Sequence, residues 1–77
     1  MKVNVRIFCQ LTEITGTDFL AFQDIPDTGL LIDHLKELFP ALEHARFACA
    51  VDRKVITENT PLRENCDVAL LPPFSGG

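Results

Sequence analysis

Few residues in this sequence combine the types and spacing needed to perform chemistry unaided. His34 and His44 have no Cys, Ser or Asp partner at a recognisable spacing. A solvated helix face and a loop account for them better than proton carriage near neutral pH. Cys9, Cys49 and Cys66 are odd in number, far apart and without a Cys-x-x-Cys pair. That pattern fits neither a disulfide framework nor a zinc or iron–sulfur site, and predicts small buried or half-buried apolar residues in a reducing compartment. Ser75 lacks the Gly-x-Ser-x-Gly setting of a nucleophile elbow, and the sequence has no glycine-rich phosphate loop. No metal site is expected, and the chain is not expected to be an enzyme by itself.

The informative segment is Pro72-Pro73-Phe74-Ser75-Gly76-Gly77. Pro72 and Pro73 bring no N–H donors, so sheet pairing must stop as they begin, and their fixed φ favours a stiff, extended exit. Six extended residues reach ~20 Å. Gly76 and Gly77 carry no Cβ, and Ser75 is small, so the tip can pass through a channel that larger side chains would block. Such an arm presents an α-carboxylate at Gly77. A carboxylate is a poor electrophile, but adenylation by ATP makes it an acyl donor, and a sulfur nucleophile can convert it to a thiocarboxylate. The chemistry requires Gly77 to be the true chain end.

The elements behind the arm follow from periodicity. Val3, Val5 and Ile7 alternate with Lys2, Asn4 and Arg6, as a strand with one solvated face requires; Phe8 breaks the alternation. Residues 10–15 predict a short helical turn, ended by Gly16 in a left-handed conformation. A second strand is expected over 17–23, carrying Phe19, Leu20 and Phe22, then a loop from Asp24 to Gly29. Leu31, Ile32, Leu35, Leu38 and Phe39 form one apolar helical stripe, with Asp27 or Thr28 as N-cap and Pro40 as the stop. After a polar connection through Glu43, His44 and Arg46 come a strand from Phe47 to Val51, a turn at Asp52-Arg53-Lys54 and a short return strand, Val55-Ile56. Thr57 to Asn65 reads as loop, with a single turn around Pro61 and Leu62. The last strand is Asp67 to Leu71, with Val68 and Leu70 on one face. The order β-β-α-β-β-β, with the last strand parallel to the first, predicts an α+β fold of the β-grasp, ubiquitin-like kind. A mixed sheet would pack on one main helix. Residues 1–71 form the domain, and 72–77 its extended tail.

Composition narrows the function classes. The 77 residues are 47% apolar and 23% charged, the mixture of one small globular domain. Seven Lys and Arg against eleven Asp and Glu leave a net charge of -4, which argues against nucleic acid or an anionic membrane as main partner. No apolar run approaches the ~20 residues of a membrane span, and the alternating N-terminus is no signal peptide. A cytoplasmic protein is expected.

A β-grasp of this length ending Leu70-Leu71-Pro72-Pro73-Phe74-Ser75-Gly76-Gly77 resembles the MoaD/ThiS sulfur-carrier family, and most of all its molybdopterin synthase branch. The likeness runs through the first strand into Phe8, the Glu13…Gly16 turn, the single helix, Asn59-Thr60-Pro61-Leu62 and Asp67-Val68. It departs in one place. Where the family often has an Arg directly before the glutamate, Thr12 precedes Glu13, so a partner salt bridge from that position does not carry over. The resemblance implies that a partner enzyme adenylates and sulfurates the Gly77 carboxyl, using ATP; no cofactor is bound by this chain. The tail would then enter the large subunit of molybdopterin synthase and give sulfur to cyclic pyranopterin monophosphate, in molybdenum cofactor biosynthesis.

The pattern-breaking residues point to a partner without that resemblance. Neighbouring first and last strands would let Phe8 and Leu71 meet on the sheet face away from the helix. With Val55, Phe74 and the tail base at Pro72 and Pro73, they would form an exposed apolar patch, which monomers seldom leave uncovered. The alternative readings are a sulfur carrier for thiamine thiazole or tRNA thiolation, a ubiquitin-like modifier joined to lysines through Gly77, and a binding module with an incidental tail.

Overall fold

The computed structural model describes residues 2–73; Phe74, Ser75, Gly76 and Gly77, with the site roles expected of them, lie outside the described residues. The alternating N-terminal segment is strand β1 (Lys2–Ile7), with Val3, Val5 and Ile7 buried. A 3-10 turn (Cys9–Leu11) runs into the single turn α1 (Thr12–Thr15), which Gly16 ends at φ 74°, the left-handed region that glycine enters without a Cβ clash. β2 (Phe19–Gln23) pairs antiparallel with β1.

Helix α2 (Thr28–Leu38) follows, then a 3-10 helix (Pro40–His44) and the strands β3 (Ala48–Val51), β4 (Lys54–Ile56) and β5 (Cys66–Leu71). The sheet order is β2-β1-β5-β3-β4, and β5 runs parallel to β1 in its centre. This is the expected β-grasp. Leu31 and Leu35 of α2 meet Val3, Val5, Ile7, Val68 and Leu70 in one core, joined by Leu42 and Leu62. Each such side chain, fully buried, contributes about 1.5–3 kcal/mol.

Several local expectations change. Asp27, not Thr28, is the N-cap, its carboxylate accepting from the Leu30 N–H at 2.9 Å. Thr28 lies inside the first turn, buried, where it ties the helix to a distant loop. Its hydroxyl donates to Asn59 Oδ1 at 3.3 Å and accepts from the Thr60 N–H at 2.9 Å. Asn59 Oδ1 also accepts the Gly29 N–H at 2.8 Å, capping the helix from across the chain.

Leu38 leaves the apolar stripe and is 51% exposed, because Phe39 and Leu42, just past the helix, supply the core contacts instead. The polar connection after Pro40 is therefore a 3-10 helix with a buried leucine inside it. Lys54 belongs to β4, and the turn is the pair Asp52 and Arg53 at φ 48° and 72°. Positive φ at both central residues is the type I′ pattern, which matches the twist of the paired strands. No helical turn forms at Pro61 and Leu62; Pro61 bridges to Asp27, and the Leu62 N–H donates to the Pro26 carbonyl at 2.8 Å.

Candidate functional site: the outer sheet face

Strand alternation sends Val3, Val5, Ile7, Val68 and Leu70 to the helix, and so sends their neighbours to the opposite face. The register makes the composition of that face explicit. One row across all five strands is Val55, Ala50, Ala69, Arg6 and Phe19, each paired with the next. A second row pairs Ala48 with Leu71. Phe8 extends it, one residue beyond the Ile7–Leu70 pair, with its N–H on the Leu70 carbonyl at 3.1 Å.

Ala48, Ala50 and Ala69 keep the middle of the face low. Phe8 (42%), Phe19 (42%) and Val55 (53%) stand exposed around them. β5 ends at Leu71, and Pro72 (half-buried) and Pro73 (exposed) continue from it at the Phe8 end of the face. Phe8, Val55, Leu71, Pro72 and Pro73 thus share one side of the molecule or its rim; Phe74 lies outside the described residues.

Of the charged residues on this face, two have defined contacts. Arg6, in the central row, holds its guanidinium 5.7 Å from the centroid of the Phe19 ring. At the far end, the turn residue Asp52 accepts from the Asp67 N–H at 3.1 Å and from Arg63 Nη2 at 3.3 Å. The Asp67 N–H holds the Asp52 carboxyl below its ordinary range; desolvation opposes it in part, and Arg63 adds a weaker downward pull. A shallow hollow of about 560 Å³ runs between these charges, lined by Arg6, Phe8, Ala69, Asp67, Asp52 and Arg53 among others. Sequence reasoning missed Arg6 and Phe19 here. An Arg at an outward position of an alternating strand reads as ordinary solvation, and only the cross-strand pairing puts it among apolar neighbours.

The remaining reactive side chains stay apart. Cys49 is buried and its thiol is pushed up to about 11 by that burial; Cys66 is buried as well. Cys9 is exposed, against expectation, because β1 has ended and the chain turns through it at φ 56°. Thr12 uses its hydroxyl locally, donating to the Cys9 carbonyl at 2.8 Å. His34 is exposed as expected, but packs edge-on to Phe22, ring centroids 5.2 Å apart. Among the described residues no three His, Cys, Asp or Glu come together to hold a metal, and no helix is long and apolar enough to cross a membrane.

A five-stranded mixed sheet gripping one main helix, with a proline-based exit from its central parallel strand, defines a ubiquitin-like β-grasp protein. The ThiS family profile matches residues 5–77, and the chain belongs to that family. It is 30% identical over 80 residues to the molybdopterin synthase sulfur carrier subunit of Escherichia coli, covering 97% of this chain and 99% of that one. A chain in the complex of subunits 1 and 2 of molybdopterin-converting factor from Helicobacter pylori superposes with a TM-score of 0.75 at 28% identity, over 100% of both chains. Small archaeal modifier protein 1 from Methanosarcina acetivorans shares the fold, with a TM-score of 0.83 at 23% identity, over 99% of this chain and 96% of that one.

Proposed function

We propose that this chain is the sulfur-carrying small subunit of a molybdopterin synthase, with sulfur carried on the main-chain carboxyl of Gly77. The observation that carries the reading is the parallel pairing of β1 with β5, which brings the Leu71-Pro72-Pro73 exit beside Phe8 at the rim of an apolar face. A partner docked on that face would receive the arm in a fixed direction. The Escherichia coli and Helicobacter pylori relatives, similar over nearly the whole chain, support the same assignment.

In this reading a separate ATP-dependent enzyme joins the Gly77 carboxylate to AMP, with loss of pyrophosphate. A sulfur nucleophile at the sulfide level (hydrosulfide) attacks the acyl carbon and AMP leaves with the bonding pair, giving the thiocarboxylic acid, which ionises to the thiocarboxylate. The large subunit then admits the arm, for which Gly76 and Ser75 provide clearance, and holds the groups that transfer sulfur to cyclic pyranopterin monophosphate. The chain itself binds no cofactor and performs no catalysis alone. It works in the cytoplasm with protein partners, not with nucleic acid or membrane.

Coexpression with the adenylating enzyme tests this directly. Intact-mass analysis should show one sulfur replacing one oxygen, and deletion of Gly77 should abolish both that gain and rescue of molybdoenzyme activity in a strain lacking the gene. Lysine-linked ladders without the sulfur gain would instead identify a protein modifier and overturn the reading.

A further inference from the structure

Arg6 is the outer-face residue whose chemistry the apolar patch leaves unexplained. It occupies the β1 position of the five-strand row, between Ala69 on the central strand and Phe19 on the edge strand. Its guanidinium is held over the Phe19 ring at 5.7 Å, which keeps the side chain against the face instead of free in solvent. With Phe8 it lines both hollows at this end of the sheet. One is the hollow of about 560 Å³ toward Asp67, and the other, of about 290 Å³, lies toward Cys9, Thr12 and Asp18. Although acidic residues outnumber basic ones eleven to seven, Arg6 has no carboxylate at ion-pair distance among the described residues.

A partner that covers Phe8 and Phe19 must also cover this cation. Taking an unpaired guanidinium out of water is strongly unfavourable, so a face built to be covered needs an acceptor from the other side. The planar fork of a guanidinium suits a carboxylate, to which it can donate two parallel hydrogen bonds.

We propose that Arg6 is a specificity residue of the docking face, receiving an Asp or Glu carboxylate of the partner chain in the hollow beside Phe8. The proposal rests on the docking role given above to the outer face, and it adds the charge of the partner at one position. Thr12 lines the same smaller hollow, so Arg6 supplies positive charge beside a position that is itself neutral here.

The test is calorimetric binding to the molybdopterin synthase large subunit of the same organism, at low and high salt. Variants are Arg6→Met, Arg6→Lys and Phe8→Asp, each first shown by circular dichroism to melt as the parent does. Arg6→Met should weaken binding about thirtyfold or more, because the partner's carboxylate is left buried and unpaired. Arg6→Lys should fall between, and the salt dependence of the parent should flatten in Arg6→Met. If Phe8→Asp loses binding while Arg6→Met binds as tightly as the parent or tighter, the docking face stands and the carboxylate is overturned. If Phe8→Asp also binds normally, the docking role itself is overturned.

Discussion

The Phe8 N–H donates to the Leu70 carbonyl at 3.1 Å, one step past the last paired residues of the two central strands. This bond holds the Phe8 backbone beside the point where the chain leaves the sheet through Leu71 and Pro72. Phe8 is 42% exposed, so an acidic side chain there should be tolerated by the fold. Phe8→Asp and Leu71→Asp should each weaken binding to the large subunit by about 2 kcal/mol or more, as at other buried aromatic and aliphatic anchors. Titration calorimetry against the purified large subunit reads the loss. Unchanged affinity in both variants would remove the patch from the interface.

Asn59 tests how the fold holds the N-terminus of α2. Its side-chain oxygen accepts from the Gly29 N–H at 2.8 Å and from the Thr28 hydroxyl at 3.3 Å, thirty and thirty-one residues away in the chain. Asn59→Ala should therefore cost about 0.5–2 kcal/mol in urea unfolding, the range of a lost helix cap. Gly29→Ala should gain less than the ~1 kcal/mol usual for Gly→Ala inside a helix, because its Cβ would stand 3.0 Å from Asn59 Oδ1. Affinity for the large subunit should stay unchanged in Asn59→Ala, since this end of the helix is on the other side of the sheet from the patch.

These two cases also show where sequence reading reaches and where it stops. The period of Val3, Val5 and Ile7, the stop at Pro40 and the left-handed Gly16 are local, so the chain displays them directly. The cap from Asn59 joins positions far apart, and nothing near Gly29 announces it. Leu42 hides in a polar stretch because a 3-10 turn, not a helix of regular period, delivers it to the core. The hairpin at Asp52 and Arg53 has two positive φ angles but lacks the usual Asn-Gly or Asp-Gly signal, so the sequence predicts a looser three-residue turn there. On the site, Phe8 and Leu71 stand out as breaks in alternation. Arg6 obeys the alternation and so gives no sign of the company it keeps.

The thiols should separate cleanly by reactivity. Cys9 is exposed, whereas Cys49 and Cys66 are buried and the Cys49 thiol is pushed up to about 11 by its surroundings. Since the thiolate is the reactive species, a water-soluble disulfide reagent at pH 8 should label Cys9 rapidly in the native protein and the other two only on unfolding. Peptide mapping identifies the modified residue. Fast native labelling of Cys49 would contradict its burial in the core on β3.

Asp52 gives the fold an acid-sensitive clasp. Its carboxylate accepts from the Asp67 N–H at 3.1 Å, with Arg63 adding a weaker attraction at 3.3 Å, and the folded-state pKa is lowered as a result. In the unfolded chain the same group titrates near its ordinary value of about 3.9. A group whose pKa falls on folding stabilises the native state while ionised. That contribution is complete above the unfolded pKa and is lost as pH drops through the lower, folded one. Stability to urea should therefore decline on acidification below about pH 4. Asp52→Asn keeps an oxygen that can accept from the Asp67 N–H and tolerates the left-handed backbone, but does not titrate. This variant should lose part of the acid slope while keeping the fold, and a carbon-detected titration of the native protein should place the Asp52 midpoint below the ordinary aspartate value of about 3.9. An acid limb identical in parent and Asp52→Asn would show that the clasp contributes nothing to acid sensitivity.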